Sequence, residues 1–310
     1  MTPLAASVSD YLSVRRALGY KLARTEKLLG QFVAHCETVG ATTVTTEVAV
    51  AWAKLPVDGS AWWWSQRLGV VRAFATWMQA EEPATEVPAT GVFGPVRSER
   101  AVPYLYTDAE VTALMDAAAC LRYPLQRATY RTLVGLLAVT GMRVGEAIAL
   151  DRGDVSWEQA QLTVERSKLN KSRHVALHPS TLDALASYAK LRDELCPRPK
   201  AGSFLVSSAG TRLVYCNVWT LFHKLVLRVG LQARSPRCRP RIHDFRHSFA
   251  VQTVIDWYSA DVDVEASLPT LSTFMGHVDP KSTYWYLSAT PELLALAANR
   301  LERHRQQTRP

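Results

Sequence analysis

Cysteine is scarce and unpatterned in this 310-residue chain: Cys36, Cys120, Cys196, Cys216 and Cys238 are odd in number and never fall in a C-x-x-C spacing. That excludes a disulfide framework and a cysteine-based zinc site, and it predicts core thiols in a reducing compartment. Long apolar runs are missing as well. No stretch approaches the ~18 residues of a membrane-spanning helix, and the opening Met-Thr-Pro-Leu-Ala-Ala-Ser carries no basic segment ahead of an apolar one. Neither a membrane partner nor a secretory leader is therefore expected, and the predicted location is the cytoplasm, at the nucleoid. Internal repeats are absent, and so are low-complexity segments beyond one proline-rich stretch. Acidic residues are absent from a whole segment: Arg228, Arg234, Arg237, Arg239 and Arg241 pass without one until Asp244.

What is present is an ordinary globular balance, 48% hydrophobic and 21% charged, in a chain long enough for two domains at ~100–200 residues each. The formal charge of +8 draws polyanions, although charge alone fits a basic soluble protein equally well. Its clustering just ahead of Asp244 favours nucleic acid.

Apolar spacing predicts four helices between residues 7 and 80, the first two broken at Gly19 and Gly40, the third over 47–55 and the fourth over 61–80. Arg15, Arg16, Lys21, Arg24 and Lys27 recur on the first two. The fourth opens on Trp62-Trp63-Trp64 near Arg67 and Arg72. These side chains read either as a solvated face with core tryptophans or as a clamp whose cations meet DNA phosphates. Four prolines and two glycines between residues 81 and 103 predict a linker, giving an N-terminal helical domain over 1–82, a linker over 83–103 and a second domain over 104–310. Thr107 with Glu110 predicts an N-cap. Helices are expected over 123–140, 143–150, 180–195, 218–229, 243–257, 266–275 and 291–303, and two short strands over 161–165 and 174–177. The predicted fold is mainly α with a small antiparallel β-sheet.

One set of side chains makes sense around a single phosphate. Arg143 and Arg246 can fork around its non-bridging oxygens, His243 and His277 can hydrogen-bond it or move protons, and the phenol of Tyr286 can attack phosphorus. His243 and His247 stand four apart, which invites a metal reading. That reading lacks the Glu of H-E-x-x-H and any cysteine cluster, and it would set Arg246 between the ligands, so no metal is expected.

The segments Thr140-Gly141-Met142-Arg143-Val144-Gly145-Glu146, His243-Asp244-Phe245-Arg246-His247 and Met275-Gly276-His277, with Tyr286 nine residues beyond that His, resemble the tyrosine recombinases, the lambda-integrase-like enzymes. Each motif alone is weak, but their order and separation make the resemblance specific over roughly residues 100–300. The resemblance implies an N-terminal core-binding (SAM-like) helical domain lying on DNA opposite an α+β catalytic domain. It selects Tyr286 over Tyr284 as nucleophile and places a general-acid lysine in a β-hairpin. Lys168 fits that place in Lys-Leu-Asn-Lys-Ser-Arg, with Lys171 as its rival; Lys171 and Arg173 otherwise read as backbone contacts, as do Arg237, Arg239 and Arg241. Glu146, one turn after Arg143, is positioned to orient it, and His247 reads as support or packing. The stretch from Arg246 to His277 is longer than in short members, and an extended loop over 257–263 is expected to absorb the excess.

The implied reaction is attack by Tyr286, a 3′-phosphotyrosyl bond and a released 5′-hydroxyl that rejoins on a partner duplex. Similar phosphoesters are broken and made, so neither ATP, metal nor other cofactor is expected. The implied partners are double-stranded DNA at specific sites and, on DNA, three further copies in a synaptic homotetramer joined through the 291–303 helix, with weak association off DNA and accessory proteins. A mobile element is the expected context for such an integrase. A type IB topoisomerase would share the chemistry, and a DNA-binding regulator would share the fold without the reaction.

Overall fold

The computed structural model describes residues 2–94, 101–165 and 172–276. They divide into two units, Met1–Arg100 and Ala101–Pro310. Among the described residues no helix is long and apolar enough to cross a membrane.

The first unit carries four helices whose starts are set by local chemistry. The Thr2 hydroxyl accepts from the Ala5 amide ahead of α1 (Pro3–Ala17), satisfying one of the open N–H groups of the first turn. α2 (Ala23–Val39) has no side-chain cap and starts from Leu22 at φ 42°, but it ends on Gly40 at φ 71°, the left-handed conformation glycine adopts without strain. Thr45 and Ser60 cap α3 (Thr46–Lys54) and α4 (Ala61–Met78). Leu29, Phe32, Trp52, Leu68, Val71 and Phe74 fill the centre, Phe32 meeting Trp52 edge-on at 5.3 Å. Each such side chain contributes roughly 2–3 kcal/mol by leaving water.

Two arginines for which the sequence left a solvated face and a DNA clamp both open are engaged within the unit. Arg67 is 6% exposed, lies 3.9 Å over the Trp52 ring and donates to the Trp52 carbonyl at 2.9 Å. Arg72 donates to the carbonyls of Pro88 (2.7 Å) and Ala89 (2.6 Å). The proline-rich stretch is therefore docked on the helices up to Gly94, with Glu86 accepting from the Thr46 amide and Phe93 packed 5.9 Å from Trp64. Proline and glycine signal that a segment is not helical; they say nothing of whether it is held.

In the second unit the predicted N-cap forms, and as a full capping box: Thr107 accepts from the Glu110 amide and Glu110 from the Thr107 amide, opening α5 (Asp108–Ala117). α6 (Pro124–Thr140) runs through the centre, against α5, α8 (Pro179–Leu195) and α10 (Asp244–Ser259). The sheet is antiparallel in the order β1 (Val155–Ser156), β2 (Gln161–Val164), β3 (Arg173–Ala176), with Leu162 opposite Val175 and Val164 opposite Arg173. β1 escaped the sequence because two residues cannot show alternation. α7 (Val144–Ala149), α9 (Tyr215–Val229) and α11 (Val264–Met275) complete the described α-helices. Leu133, Leu137, Met142, Leu162, Phe204 and Phe245 are buried in the main core, and a second cluster around Val254, Leu271 and Met275 joins α10 to α11. The 291–303 helix lies outside the described residues.

The extra length after Arg246 is not an extended loop. α10 continues to Ser259 and a short turn, with Asp261 at φ 53° and the Val262 amide on the Trp257 carbonyl, leads to Asp263, which caps α11. Trp257 and Tyr258 pack on the second cluster, so the added residues stay helical because helix presents them to apolar neighbours.

Gly141 shows why this unit needs glycine at the end of α6. It sits at φ 58°, its amide on the Leu137 carbonyl, and a Cβ there would overlap the Phe249 ring. Gly141→Ala is expected to lose roughly 2–4 kcal/mol, from left-handed strain and overpacking together. Urea unfolding measures this, and an alanine variant as stable as the parent would contradict it.

Candidate active site

The turn after α6 delivers Arg143. Gly141 reverses the chain, Met142 is buried, and Arg143 becomes the N-terminal boundary of α7 with Glu146 three residues on. The Glu146 carboxylate accepts from the Arg143 amide at 2.9 Å and from Arg143 Nη1 at 2.8 Å. Its other partner comes from β3: Arg173 Nη1 and Nη2 donate to Oε1 (3.1 Å) and Oε2 (2.8 Å). The Glu146 and Arg173 side chains are 8% and 9% exposed, so this is no surface pair.

Burial alone would raise the Glu146 carboxyl. The Arg173 fork, the Arg143 amide and the Arg143 guanidinium outweigh it and hold the group at about 2, against an ordinary 4.5. A carboxyl with a depressed folded pKa contributes stability that is full above its unfolded value and lost as pH falls toward the folded one. The shift corresponds to on the order of 3 kcal/mol at neutral pH. Glu146→Gln is accordingly expected to be much less stable than the parent at pH 7, with the gap narrowing from about pH 4.5 toward pH 2. A gap that does not change across that window would show that the carboxylate charge is not what matters.

Arg246 rises from the first turn of α10 and is 3% exposed. Nη1 donates to the Gly141 carbonyl at 2.8 Å and Nη2 to the Met275 carbonyl at 2.6 Å. Arg143 Nη2 donates to the next carbonyl, Gly276, at 3.1 Å, and Arg173 Nε to the preceding one, Phe274, at 2.8 Å. Three successive carbonyls at the end of α11 thus each face a different arginine. A helix C-terminus exposes unpaired carbonyls and the negative end of its dipole, so it is a natural seat for cations. Gly276, at φ 66°, is bonded directly to His277, so the chain enters that residue from the carbonyl Arg143 holds.

His243 stands at the N-terminal boundary of α10 with one face accessible. Protein packed behind it and the Arg246 guanidinium both push its pKa below the usual imidazole value, while Asp244 pulls the other way. Its ring lies 5.7 Å from His247 and nearly perpendicular. Among the described residues no three His, Cys, Asp or Glu side chains gather to hold a metal ion. Behind His243, Asp244 is fully buried; burial raises its pKa, and the Arg241 fork at 2.8 and 3.0 Å opposes that rise.

The structure thus brings together Arg143, Glu146, Arg246 and His243. Lys168, Lys171, His277 and Tyr286 lie outside the described residues. Because Val164 pairs with Arg173, both lysines fall in the connection between β2 and β3. Of the cations read as DNA contacts, Arg173 is committed to Glu146 and Phe274, and Arg241 pairs with Asp244. Arg16 pairs with Glu26 at 2.6 Å, Arg15 stacks 4.2 Å over Tyr20 and Arg24 4.9 Å over Trp63. Arg16, Lys21, Arg24, Lys27, Arg237 and Arg239 are exposed. Sequence reasoning missed Arg173 as a partner of Glu146: it placed Arg173 in the turn between the two predicted strands, where a cation reads as solvated or as a backbone contact, whereas the structure makes it the first residue of β3.

The profile of the phage integrase family matches residues 105–292. A Sinorhizobium fredii protein assigned as an integrase/recombinase, y4rB, is 40% identical over 309 residues, 98% of each chain. Tyrosine recombinase XerC of Pelotomaculum thermopropionicum is 28% identical over 236 residues, 74% of this chain and 71% of that one. Among solved structures, the Tn1549 transposon integrase in complex with transposon right end DNA shares the fold with a TM-score of 0.66 at 16% identity, over 97% of this chain and 100% of that one.

Proposed function

The chain belongs to the phage integrase family, and on that premise we propose that its arginine-lined turn holds a DNA phosphate while Tyr286 attacks it. It is a tyrosine-type site-specific DNA recombinase. The observation that carries the proposed site is the pairing of Arg143 and Arg246 on successive carbonyls, Gly276 and Met275, at the residue before His277. In that arrangement two planar cations are fixed before substrate arrives, which is what stabilising charge build-up on the non-bridging oxygens requires. The bonds to protein use one N–H on each terminal nitrogen of Arg143, leaving others for phosphate.

In the proposed sequence, Tyr286 attacks phosphorus as its phenolic proton passes to the accepting ring nitrogen of His243, a 3′-phosphotyrosyl bond forms, and the bond to the 5′-oxygen breaks with a proton from Lys168 going to that oxygen. His243 and His277 donate to the phosphate. His243, kept neutral by its surroundings, can donate from one ring nitrogen and accept on the other. The 5′-hydroxyl of a partner duplex then attacks the phosphotyrosine, restoring the phenol and a phosphodiester. Energy is conserved through the two exchanges, so the scheme needs no nucleotide cofactor or metal.

Double-stranded recombination-site DNA is the proposed substrate, and a transposon-like mobile element the proposed context, in line with the likeness to the Tn1549 integrase. Arg15, Arg16, Lys21, Arg24 and Lys27 of the N-terminal helices, with Arg237 and Arg239, supply backbone contacts. The working assembly is a homotetramer on DNA, weakly associated without it and directed by accessory proteins, at the nucleoid in the cytoplasm.

The test is trapping. With nicked suicide duplexes from DNA flanking the gene, in a chelator, the protein is expected to form a denaturation-resistant adduct and to transfer the strand to a partner duplex. Supercoil relaxation without transfer would favour a topoisomerase, and binding without any adduct a regulator.

A further inference from the structure

We propose that Arg173 is a positioning residue of the cleavage site, locking the carboxylate that orients Arg143 and the last turn of α11 into one unit, and that it makes no DNA contact. This rests on the strand-cleavage reading above. The links form a closed ring. Arg173 forks onto Glu146, Glu146 accepts from Arg143, Arg143 donates to the Gly276 carbonyl, and two residues back Phe274 accepts from Arg173 Nε at 2.8 Å. In a ring of this kind the loss of one link loosens both arms, so Arg143 and the backbone entering His277 would drift together. Burial matters here: at 9% side-chain exposure the links are weakly screened, unlike a surface pair.

Gly276 supplies an independent sign of the fit. A Cβ on it would lie 2.8 Å from Arg173 Nη1 and 3.0 Å from Cζ, so the guanidinium is pressed against the glycine that precedes His277. Arg173 also begins β3, the strand on which the connection bearing Lys168 ends. One side chain therefore ties the hairpin, Glu146 and α11. Lysine cannot substitute, because an ammonium is a point charge with no planar fork and cannot hold a carboxylate bidentately while reaching a third acceptor. A phosphate contact would behave in the opposite way: exposed, unpaired with carboxylate, and tolerant of lysine.

The experiment compares the full chain, Arg173→Lys, Glu146→Gln, Gly276→Ala and Arg173→Lys/Glu146→Gln by thermal melting, by DNA affinity against salt, and by single-turnover adduct formation. Arg173→Lys is expected to bind DNA within about 2-fold of the parent with the same salt slope, yet to cleave about 100-fold more slowly, the scale of a misplaced site. The double variant is expected to be no slower than the slower of its two single changes, since both break one ring. Should Arg173→Lys fail to fold, Gly276→Ala displaces the same guanidinium from the α11 side and reads the same split. Cleavage at the parental rate, or weakened binding with a shallower salt slope, overturns the proposal. Absence of adduct from the parent overturns it together with the cleavage reading, whereas an active parent beside an equally active Arg173→Lys overturns the positioning role alone.

Discussion

Tyr286→Phe is expected to abolish the covalent adduct while leaving DNA affinity near that of the parent. Phenylalanine keeps the ring and removes one oxygen, and that oxygen is the proposed nucleophile. Cations, not the phenol, supply the phosphate contacts that dominate affinity, so binding and its salt dependence should survive. Loss of a nucleophile in a covalent mechanism costs at least ~10⁴-fold, which places the residual signal below detection in a trapping gel. An adduct from the phenylalanine protein would move the nucleophile elsewhere, Tyr284 first.

The second large effect belongs to Arg246→Lys. The guanidinium is 3% exposed and spans the carbonyls of Gly141 and Met275, so it joins the turn that carries Arg143 to the last turn of α11. A lysine can reach one of these, leaving a buried carbonyl without its partner at about 1–3 kcal/mol. It would also lose the planar guanidinium that the proposed site sets beside the phosphate. Removing one such preorganised donor typically slows chemistry ~10²–10³-fold, and displacement of both turns adds to that. The measurement is single-turnover cleavage beside urea unfolding. A variant that cleaves normally although destabilised would reduce Arg246 to a structural tie and leave Arg143 as the phosphate ligand.

Much of the architecture was legible because its causes are local. Thr107 and Glu110 close their capping box within one turn, Gly40 and Gly276 end helices through their own backbone freedom, and the 3.6-residue spacing of Leu68, Val71 and Phe74 orients α4 without help from elsewhere. The excess between Arg246 and His277 was visible as length, but whether it became loop or helix depended on apolar neighbours for Trp257 and Tyr258. Likewise, proline content marked where helices stop and could not reveal that Arg72 holds Pro88 and Ala89.

The same division runs through the site. By itself the sequence determined the family and singled out the side chains proposed to carry the chemistry, since arginine, histidine and tyrosine in ordered motifs have few other uses together. Only the tertiary structure decided what each cation faces. Arg173 meets Glu146 across 27 residues and Phe274 across 101, Arg246 meets Gly141 across 105, and in sequence every one of these looks like any other basic residue. Charge is written in the side chain, but whether it is spent on a carboxylate, a helix end or a phosphate depends on burial and on which elements converge, and those follow from packing over distances that no local pattern records.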